Sequence, residues 1–323
     1  MERKRNEVIR LLNSNSNQLE RNVVFQEMKE TGLGNSLLAV ASSYIVSRLL
    51  NASFQVNWSM YHNAFEAPLV NFNTNITYGT ADSSYSKWKI RWSGCNPSIQ
   101  ALETISINQL VPAPNLVITA YYDYSKHLLK SRQYDSALIS AGLADVPSWE
   151  VSKQTYYAEF ALMSSVRLFF QPKLFLRSYI DSFLTRWKSF HLIGLQIRMG
   201  SGGADFRDSH RFLHFSAVST FVSLAEEYRK AHGYSENQVK WFLSTDSSKV
   251  EKNLMDSFPD RVIVMESFRR GHSSQEKSNR NGFYRAVLDV TVLSQCEFIV
   301  LTNHSSFGMI ARMLATKLFQ CLF

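Results

Sequence analysis

The feature that most constrains the fold is an alternation of apolar, strand-like runs with helical segments in the second half of the chain. Four such runs lie at residues 191–198, 239–245, 262–265 and 297–302, and segments with helical periodicity separate them. Apolar runs of this kind are typical of strands buried on both faces, and their alternation with helices predicts a parallel sheet covered on both sides. Residues 171–323 are therefore predicted to form a Rossmann-like domain.

A related pattern opens the first half of the chain. An apolar strand at Val23–Gln26 leads through the glycine-bearing turn 31–35 into an apolar helix over about 36–50. A second strand follows at 54–58, so this stretch is predicted to form a βαβ unit.

The rest of the first half is less regular. Residues 1–21 are polar and are predicted to form a leading helix or a loose arm, and residues 59–135 to form loops and short elements. A length of 323 residues with 45% hydrophobic residues suits two globular domains. We therefore expect an α/β protein with an N-terminal Rossmann-like domain at 1–170 and a C-terminal one at 171–323.

The charge balance favours an anionic partner. A net charge of +8 suits a nucleotide diphosphate, a nucleic acid or a membrane surface. The basic residues are spread along the chain, and no basic run with interleaved aromatic residues occurs, which argues against nucleic-acid binding. The densest basic segment, Arg269–His272, is interpreted as a solvated loop.

Other composition features narrow the function classes. Three cysteines exclude a disulfide framework and a cysteine-rich metal site, and no metal or cofactor motif is present, so no cofactor is predicted. No apolar run reaches the roughly 18 residues of a membrane span. N-x-S/T sequons indicate, weakly, the lumen of the secretory pathway. The sequons begin at Asn51, Asn57, Asn75 and Asn303.

Ligands of parallel sheets bind beyond the carboxyl ends of the strands, and Arg198 occupies such a position. It ends a strand and opens a loop of small residues, 200–204. A guanidinium can hold phosphate oxygens through two parallel hydrogen bonds, and glycines allow a ligand to approach the backbone. The alternative is a structural arginine paired with Asp205 or Asp208.

Two serines follow the last strand and precede the last helix. Ser305 or Ser306 would cap that helix, and the helix N-terminus would also offer an anion site. Both interpretations can hold together.

Two acidic residues admit structural and functional interpretations. Asp246 ends a strand and would either cap the next helix or bind a base or ribose. Asp289 lies within an apolar helix, where a buried carboxylate needs a partner. That partner would be Arg285, Arg198 or a ligand donor group.

Four segments together resemble the fucosyltransferase superfamily that unites α1,6-, plant-type α1,2- and protein O-fucosyltransferases. Residues 191–198 and 242–246 resemble its first two motifs, and 287–300, continuing through 305–308, its third. The segment 32–39 resembles the G-x-G-N opening of the first domain, although a lone G-x-G is a weak signal.

The resemblance implies a GT-B fold, with two Rossmann-like domains and a cleft between them. It also implies GDP-fucose as donor, a glycan or glycoprotein hydroxyl as acceptor on the N-terminal side, inversion at the anomeric carbon and no required metal. It implies a location in the Golgi or another secretory-pathway lumen.

By the same resemblance, Arg198 would hold the β-phosphate, Ser305 and Ser306 the diphosphate, and Asp246 and Asp289 the nucleoside or Arg198 itself. Arg198 and Asn35 are the residues expected at the reacting centre. The residues expected to bind GDP-fucose are Gly32, Gly34, Asn35, Gln196, Arg198, Asp246, Asp289, Ser305, Ser306 and Phe307. The general base is left open between Asp205, the acceptor itself and the leaving phosphate.

Three departures from the family pattern keep other interpretations open. Met199 stands where the α1,6 enzymes have a second arginine, which argues against that subgroup. The chain ends at Phe323, before the usual closing segment, and no membrane anchor precedes residue 22. A truncated or inactive relative that binds a glycan or protein, and a transferase with another nucleotide-sugar donor, are the alternatives.

Overall fold

A computed structural model gives the fold of the chain. It describes residues 21–28, 31–66, 85–90, 106–111, 113–129, 132–144, 154–205, 210–271, 280–315 and 318–322. The predictions for residues 1–20, for Asp208 and for the sequon at Asn75 lie outside these ranges. The chain divides into two compact units, Met1–Thr31 with Asn35–Gln171, and Gly32–Gly34 with Pro172–Phe323.

The first unit contains a four-stranded sheet in the order β2-β1-β4-β3, with every pairing parallel. The predicted βαβ unit is confirmed, because helix α1 connects the parallel strands β1 and β2. The strands are β1 (Asn22–Gln26), β2 (Ser53–Asn57), β3 (Tyr85–Ile90) and β4 (Asn115–Ala120).

Strands β3 and β4 are short elements of the kind predicted for residues 59–135, and the structure adds that both belong to the sheet. β4 is an interior strand whose Leu116, Val117 and Ile118 are buried. An apolar run of three residues is too short for periodicity to separate a strand from a loop, so its pairing partners decide its structure.

Helix α1 is buried around most of its circumference, including its polar residues. The hydroxyls of Ser42, Ser43 and Ser47 are buried and donate to carbonyl oxygens three or four residues earlier, at 2.7–2.9 Å. Ser42 also contacts Asp123 Oδ1 at 2.9 Å and Ser43 the hydroxyl of Tyr124 at 2.8 Å, so these buried hydroxyls are satisfied within the unit. The helices of this unit are α1 (Leu33–Leu49), α2 (Tyr61–Ala64), α3 (Ile107–Leu110), α4 (Ser125–Leu128), α5 (Asp135–Ser140) and α6 (Gln154–Phe169).

The second unit contains a five-stranded, all-parallel sheet in the order β7-β6-β5-β8-β9. The predicted α/β class with a parallel sheet is confirmed. The elements are α7 (Leu174–Arg186), β5 (His191–Ile197), α8 (Val218–Ala231), β6 (Val239–Thr245), α9 (Ser248–Ser257), β7 (Val262–Ile263), α10 (Arg280–Gln295), β8 (Phe298–Thr302), α11 (Ser306–Leu314) and β9 (Leu318–Leu322).

Three details of this unit differ from the sequence prediction. The sequence predicts a helix over about 212–231, whereas helix α8 begins at Val218, after a 3₁₀ turn at Phe215–Ala217. Strand β7 has two residues, and the unpredicted strand β9 pairs in parallel with β8.

The strand order creates one topological switch point. The chain builds outward from β5 through β6 to β7 and then returns to place β8 on the other side of β5. Ligand sites of open parallel sheets lie beyond the carboxyl ends of the strands at such a point. The residues that follow β5 and β8 therefore lie where a ligand site is expected.

None of the helices in the described ranges is long and apolar enough to cross a membrane. The same part of the chain holds no group of three or more His, Cys, Asp or Glu side chains placed to share a metal ion.

Candidate functional site

Arg198 follows β5 and Ser305 follows β8, so the structure brings both to the switch point. The backbone N–H of Arg198 donates to Thr302 Oγ1 at 2.9 Å. The side-chain amide of Gln196 donates to Ser305 Oγ at 3.3 Å. The two segments are thus joined by direct hydrogen bonds at one edge of the sheet.

The Arg198 side chain is partly exposed at this edge. It keeps 22% of its surface accessible, and its Nε lies 3.3 Å from Asp246 Oδ2. The ring of Phe212 lies below the guanidinium, with 5.7 Å between Cζ and the ring centroid. This ion pair of Arg198 is with Asp246, while Asp205 pairs with Arg270.

Asp246 anchors both Arg198 and the loop that follows it. Its buried carboxylate accepts the backbone N–H groups of Met199 at 2.8 Å and Gly200 at 3.0 Å. The interpretation of Asp246 as a helix cap is wrong, because Ser247 caps α9 by accepting the N–H of Val250. Of the roles that the resemblance implied, holding Arg198 is the one that this geometry displays.

The departure from the family pattern at Met199 places a core residue beside Arg198. Its side chain is 3% exposed and belongs to the apolar cluster between the sheet and α8, which includes Val218 and Phe221. The position of the second arginine is therefore occupied by a core residue here. Only Arg198 of this pair of positions can present a guanidinium at the strand ends.

Asp289 is engaged within the protein. Its carboxylate accepts a hydrogen bond from Arg285 Nε at 2.7 Å and one from the Ser244 hydroxyl at 3.0 Å. Burial raises the pKa of this carboxyl, while the charge and hydrogen bond of Arg285 and the hydrogen bond of Ser244 oppose that rise. The internal pair with Arg285 is confirmed, and a contact with the donor stays a prediction.

Ser305 caps α11, as one of the two interpretations predicted. Its Oγ accepts the N–H of Gly308 at 3.4 Å, and Ser306 and Phe307 form the half-buried first turn. An α-helix leaves its first N–H groups without intrahelical partners and carries partial positive charge at that end. The first turn of α11 therefore favours an anion beside Arg198.

Gln196 has a structural task in this arrangement. Its Oε1 accepts the backbone N–H of Thr302 at 3.2 Å, while its amide nitrogen donates to Ser305. A Cβ at Gly308 would lie 2.7 Å from that Oε1, so a larger residue there would have to displace the Gln196 amide. The contact of Gln196 with the donor stays a prediction.

The glycine turn 32–34 groups with the second unit. A Cβ at Gly34 would lie 2.6 Å from the carbonyl carbon of Ser306, so the turn needs glycine at this position. Asn35 is the first residue of α1 that belongs to the first unit, and it is half-buried. The expected contacts of Gly32 and Gly34 with GDP-fucose, and the expected place of Asn35 at the reacting centre, stay predictions.

Sequence reasoning missed Thr302 and Arg270. The Thr302 hydroxyl accepts from Arg198 N–H and donates to the Gln196 carbonyl at 3.0 Å. Its place at the end of β8 was the available signal. Arg270 lies in the basic segment 269–272, which gives no signal for its partners Asp205 and Glu251, because both are distant along the chain.

Residues 157–322, slightly more than half of the chain, match the family described as NodZ, nodulation protein Z. Among curated proteins, none matches the sequence. Several solved structures share the fold.

A fucosyltransferase NodZ from Bradyrhizobium is 18% identical with a TM-score of 0.54, covering 92% of this chain and 95% of that one. A NodZ α-1,6-fucosyltransferase crystallised with GDP is 17% identical with a TM-score of 0.56, covering 92% and 94%. A mutant of Arabidopsis thaliana FUT1 in complex with GDP is 14% identical with a TM-score of 0.66, covering 98% and 75%. The predicted resemblance is confirmed, and the expectation that Met199 argues against the α1,6 subgroup stays a prediction.

Proposed function

This chain belongs to the NodZ family of fucosyltransferases, and from that membership we propose that it transfers fucose from GDP-fucose to a hydroxyl of a glycan or glycoprotein. The observation that carries the proposal is that Arg198 and the N-terminus of α11 both lie at the switch point of the second sheet. A cation and a helix N-terminus on neighbouring strands form a site suited to a diphosphate.

The chemistry needs positive charge at that place. As the bond between fucose and GDP breaks, negative charge builds on the β-phosphate and the sugar becomes cation-like. Groups fixed before the reaction stabilise this charge without reorganising. Asp246 holds the side chain of Arg198, and Thr302 holds its backbone N–H. The guanidinium is therefore preorganised.

The proton of the acceptor hydroxyl needs a destination, and Asp205 is badly suited to receive it. Its carboxylate accepts the N–H and the hydroxyl of Ser248, both at 2.8 Å, and pairs with Arg270 at 3.3 Å. These partners occupy both of its carboxylate oxygens. The two remaining destinations of the proton are a group of the acceptor itself and the departing phosphate.

Inversion, metal independence and the compartment belong to the same proposal. A single displacement at the anomeric carbon by the acceptor hydroxyl inverts it, and Arg198 with α11 supplies positive charge from the chain itself. The sequons support a secretory-pathway lumen, and Asn51 among them is exposed.

The test compares GDP binding and transfer in the wild type, Arg198→Ala and the control Arg261→Gln. Arg261 pairs with Glu226 and precedes β7, at the opposite, amino end of the strands. We expect Arg198→Ala to weaken GDP binding and to slow transfer about 100- to 1,000-fold, and Arg261→Gln to match the wild type in both. Unchanged GDP affinity in Arg198→Ala would refute the assigned phosphate contact.

The buried Met199 favours one alternative, a non-catalytic relative with a single guanidinium at the site. Turnover of labelled GDP-fucose decides between the two. Transfer or hydrolysis that co-purifies with the chain and is lost in Arg198→Ala excludes the binding module. Competition by UDP and ADP tests the donor, and tighter binding of UDP than of GDP would overturn the assignment.

A further inference from the structure

The loop that follows Arg198 is held at both of its ends by Asp246. At the entrance, the carboxylate of Asp246 accepts the N–H groups of Met199 and Gly200. At the exit, its backbone carbonyl accepts the N–H of Asp205 at 2.8 Å. The position of the loop, and of Arg198 at its start, therefore depends on the end of β6.

Arg270 ties the exit of this loop to two other elements. Its guanidinium lies 3.3 Å from Asp205 Oδ2 and donates to Glu251 Oε2 of α9 at 2.8 Å. It also donates to the carbonyl oxygen of Thr245, the last residue of β6, at 3.3 Å. The side chain of Arg270 is 20% exposed and bridges these elements. The prediction of a solvated loop is therefore wrong for Arg270.

We propose that Arg270 is a positioning residue for fucosyl transfer, acting through Asp205 and Asp246 on Arg198. The inference rests on the proposed function. Two carboxylates, Asp205 and Glu251, share this one guanidinium. Without it they repel each other, and the loop exit loses its tie to α9 and β6.

Loosening the loop has a chemical consequence at Arg198. The guanidinium stabilises charge that develops only as the donor bond breaks, so its placement matters most in the transition state. Arg270→Gln is expected to lower kcat about 10- to 100-fold, because displacements of about 1 Å have effects of that size. KM for GDP-fucose is expected to change less than about threefold, since the diphosphate keeps its other contacts.

A double-mutant cycle separates this role from general-base catalysis by Asp205. The variants are Arg270→Gln, Asp205→Asn and their combination. Groups that act as one unit give non-additive effects, so the double variant is expected to be no slower than the slower single variant. If Asp205 were the general base, Asp205→Asn alone would abolish nearly all turnover. It would also remove the acidic limb of the pH–rate profile.

Arg270→Lys and Arg261→Gln complete the experiment. Lysine keeps the charge but lacks the planar fork, so Arg270→Lys is expected to recover part of kcat. Arg261→Gln removes an arginine–glutamate pair at the amino end of the same sheet and is expected to keep wild-type kcat with a lower unfolding temperature.

The outcomes are distinct. Equal kcat in Arg270→Gln and Arg261→Gln, or additive losses in the cycle, would overturn the inference while the proposed function stands. A wild type that neither binds GDP nor turns over GDP-fucose overturns both. Asp205→Asn supplies the same test if Arg270→Gln does not fold.

Discussion

The carboxylate of Asp246 is the centre of the candidate site, and replacing it with an amide is the most informative single perturbation. It serves three donors, the N–H groups of Met199 and Gly200 and the Nε of Arg198. Asp246→Asn keeps the shape of the side chain. The asparagine side chain has one acceptor oxygen, and its NH₂ group faces one of the donors that the second carboxylate oxygen accepted before.

The magnitude follows from the two buried backbone contacts. Hydrogen bonds to a charged group contribute about 1.5–3 kcal/mol each, and a neutral one about 1 kcal/mol. Asparagine retains one neutral bond, so the variant is expected to lose about 3 kcal/mol of unfolding free energy. The contact with Arg198 adds little to this figure, because the arginine is partly exposed and solvent screens the pair.

The assay is thermal unfolding combined with titration calorimetry of GDP. We expect Asp246→Asn to unfold at a lower temperature and to bind GDP at least tenfold more weakly, because Arg198 loses its fixed orientation. Asp260→Asn is the matched control, since the same chemical change falls on an exposed residue of the second unit. An Asp246→Asn protein with the unfolding temperature and GDP affinity of this control would refute the reasoning.

Two further predictions concern stability. Gly308→Ala should gain about 1 kcal/mol of helix propensity. We nevertheless expect urea unfolding to show a net destabilisation of about 1–3 kcal/mol, because the new Cβ displaces the Gln196 amide. A stabilised variant would contradict this packing. Burial acts to raise the pKa of Glu226, but the bonds from Arg229 and Arg261 outweigh it and hold the pKa below its usual value. Its stabilisation is therefore complete above about pH 4.3 and is lost as pH falls through the lower folded-state pKa. Glu226→Gln should lose less stability than the wild type between pH 5 and pH 2, and equal acid sensitivity would exclude this contribution.

Much of the second unit could be predicted because its strands are buried on both faces. The run 239–245 is β6 residue for residue, and β5 and β8 fall within one residue of their predicted bounds. Continuous apolar composition is a local signal, so it survives in the sequence alone. β4 and β9 lacked that signal, and their neighbours in the sheet define them.

The candidate site was predicted in its positions and only partly in its contacts. Arg198 and Ser305 were identified because polar residues at the ends of apolar strands must lie at the carboxyl edge of a parallel sheet. The partner of Arg198 was predicted among sequence neighbours, whereas the structure supplies Asp246, which lies 48 residues away along the chain. Asp205, offered as a base, instead joins Arg270, 65 residues away along the chain.

The amino-acid sequence by itself determined the alternation of elements, the family, and which polar side chains stand at strand ends, because each of these follows from local order along the chain. Only the tertiary structure decided which charges pair with one another. The strand order β7-β6-β5-β8-β9 places the ends of β6 and β8 on either side of Arg198. Coulombic and hydrogen-bonding partners are set by distance in space, which the order of residues along a chain does not specify.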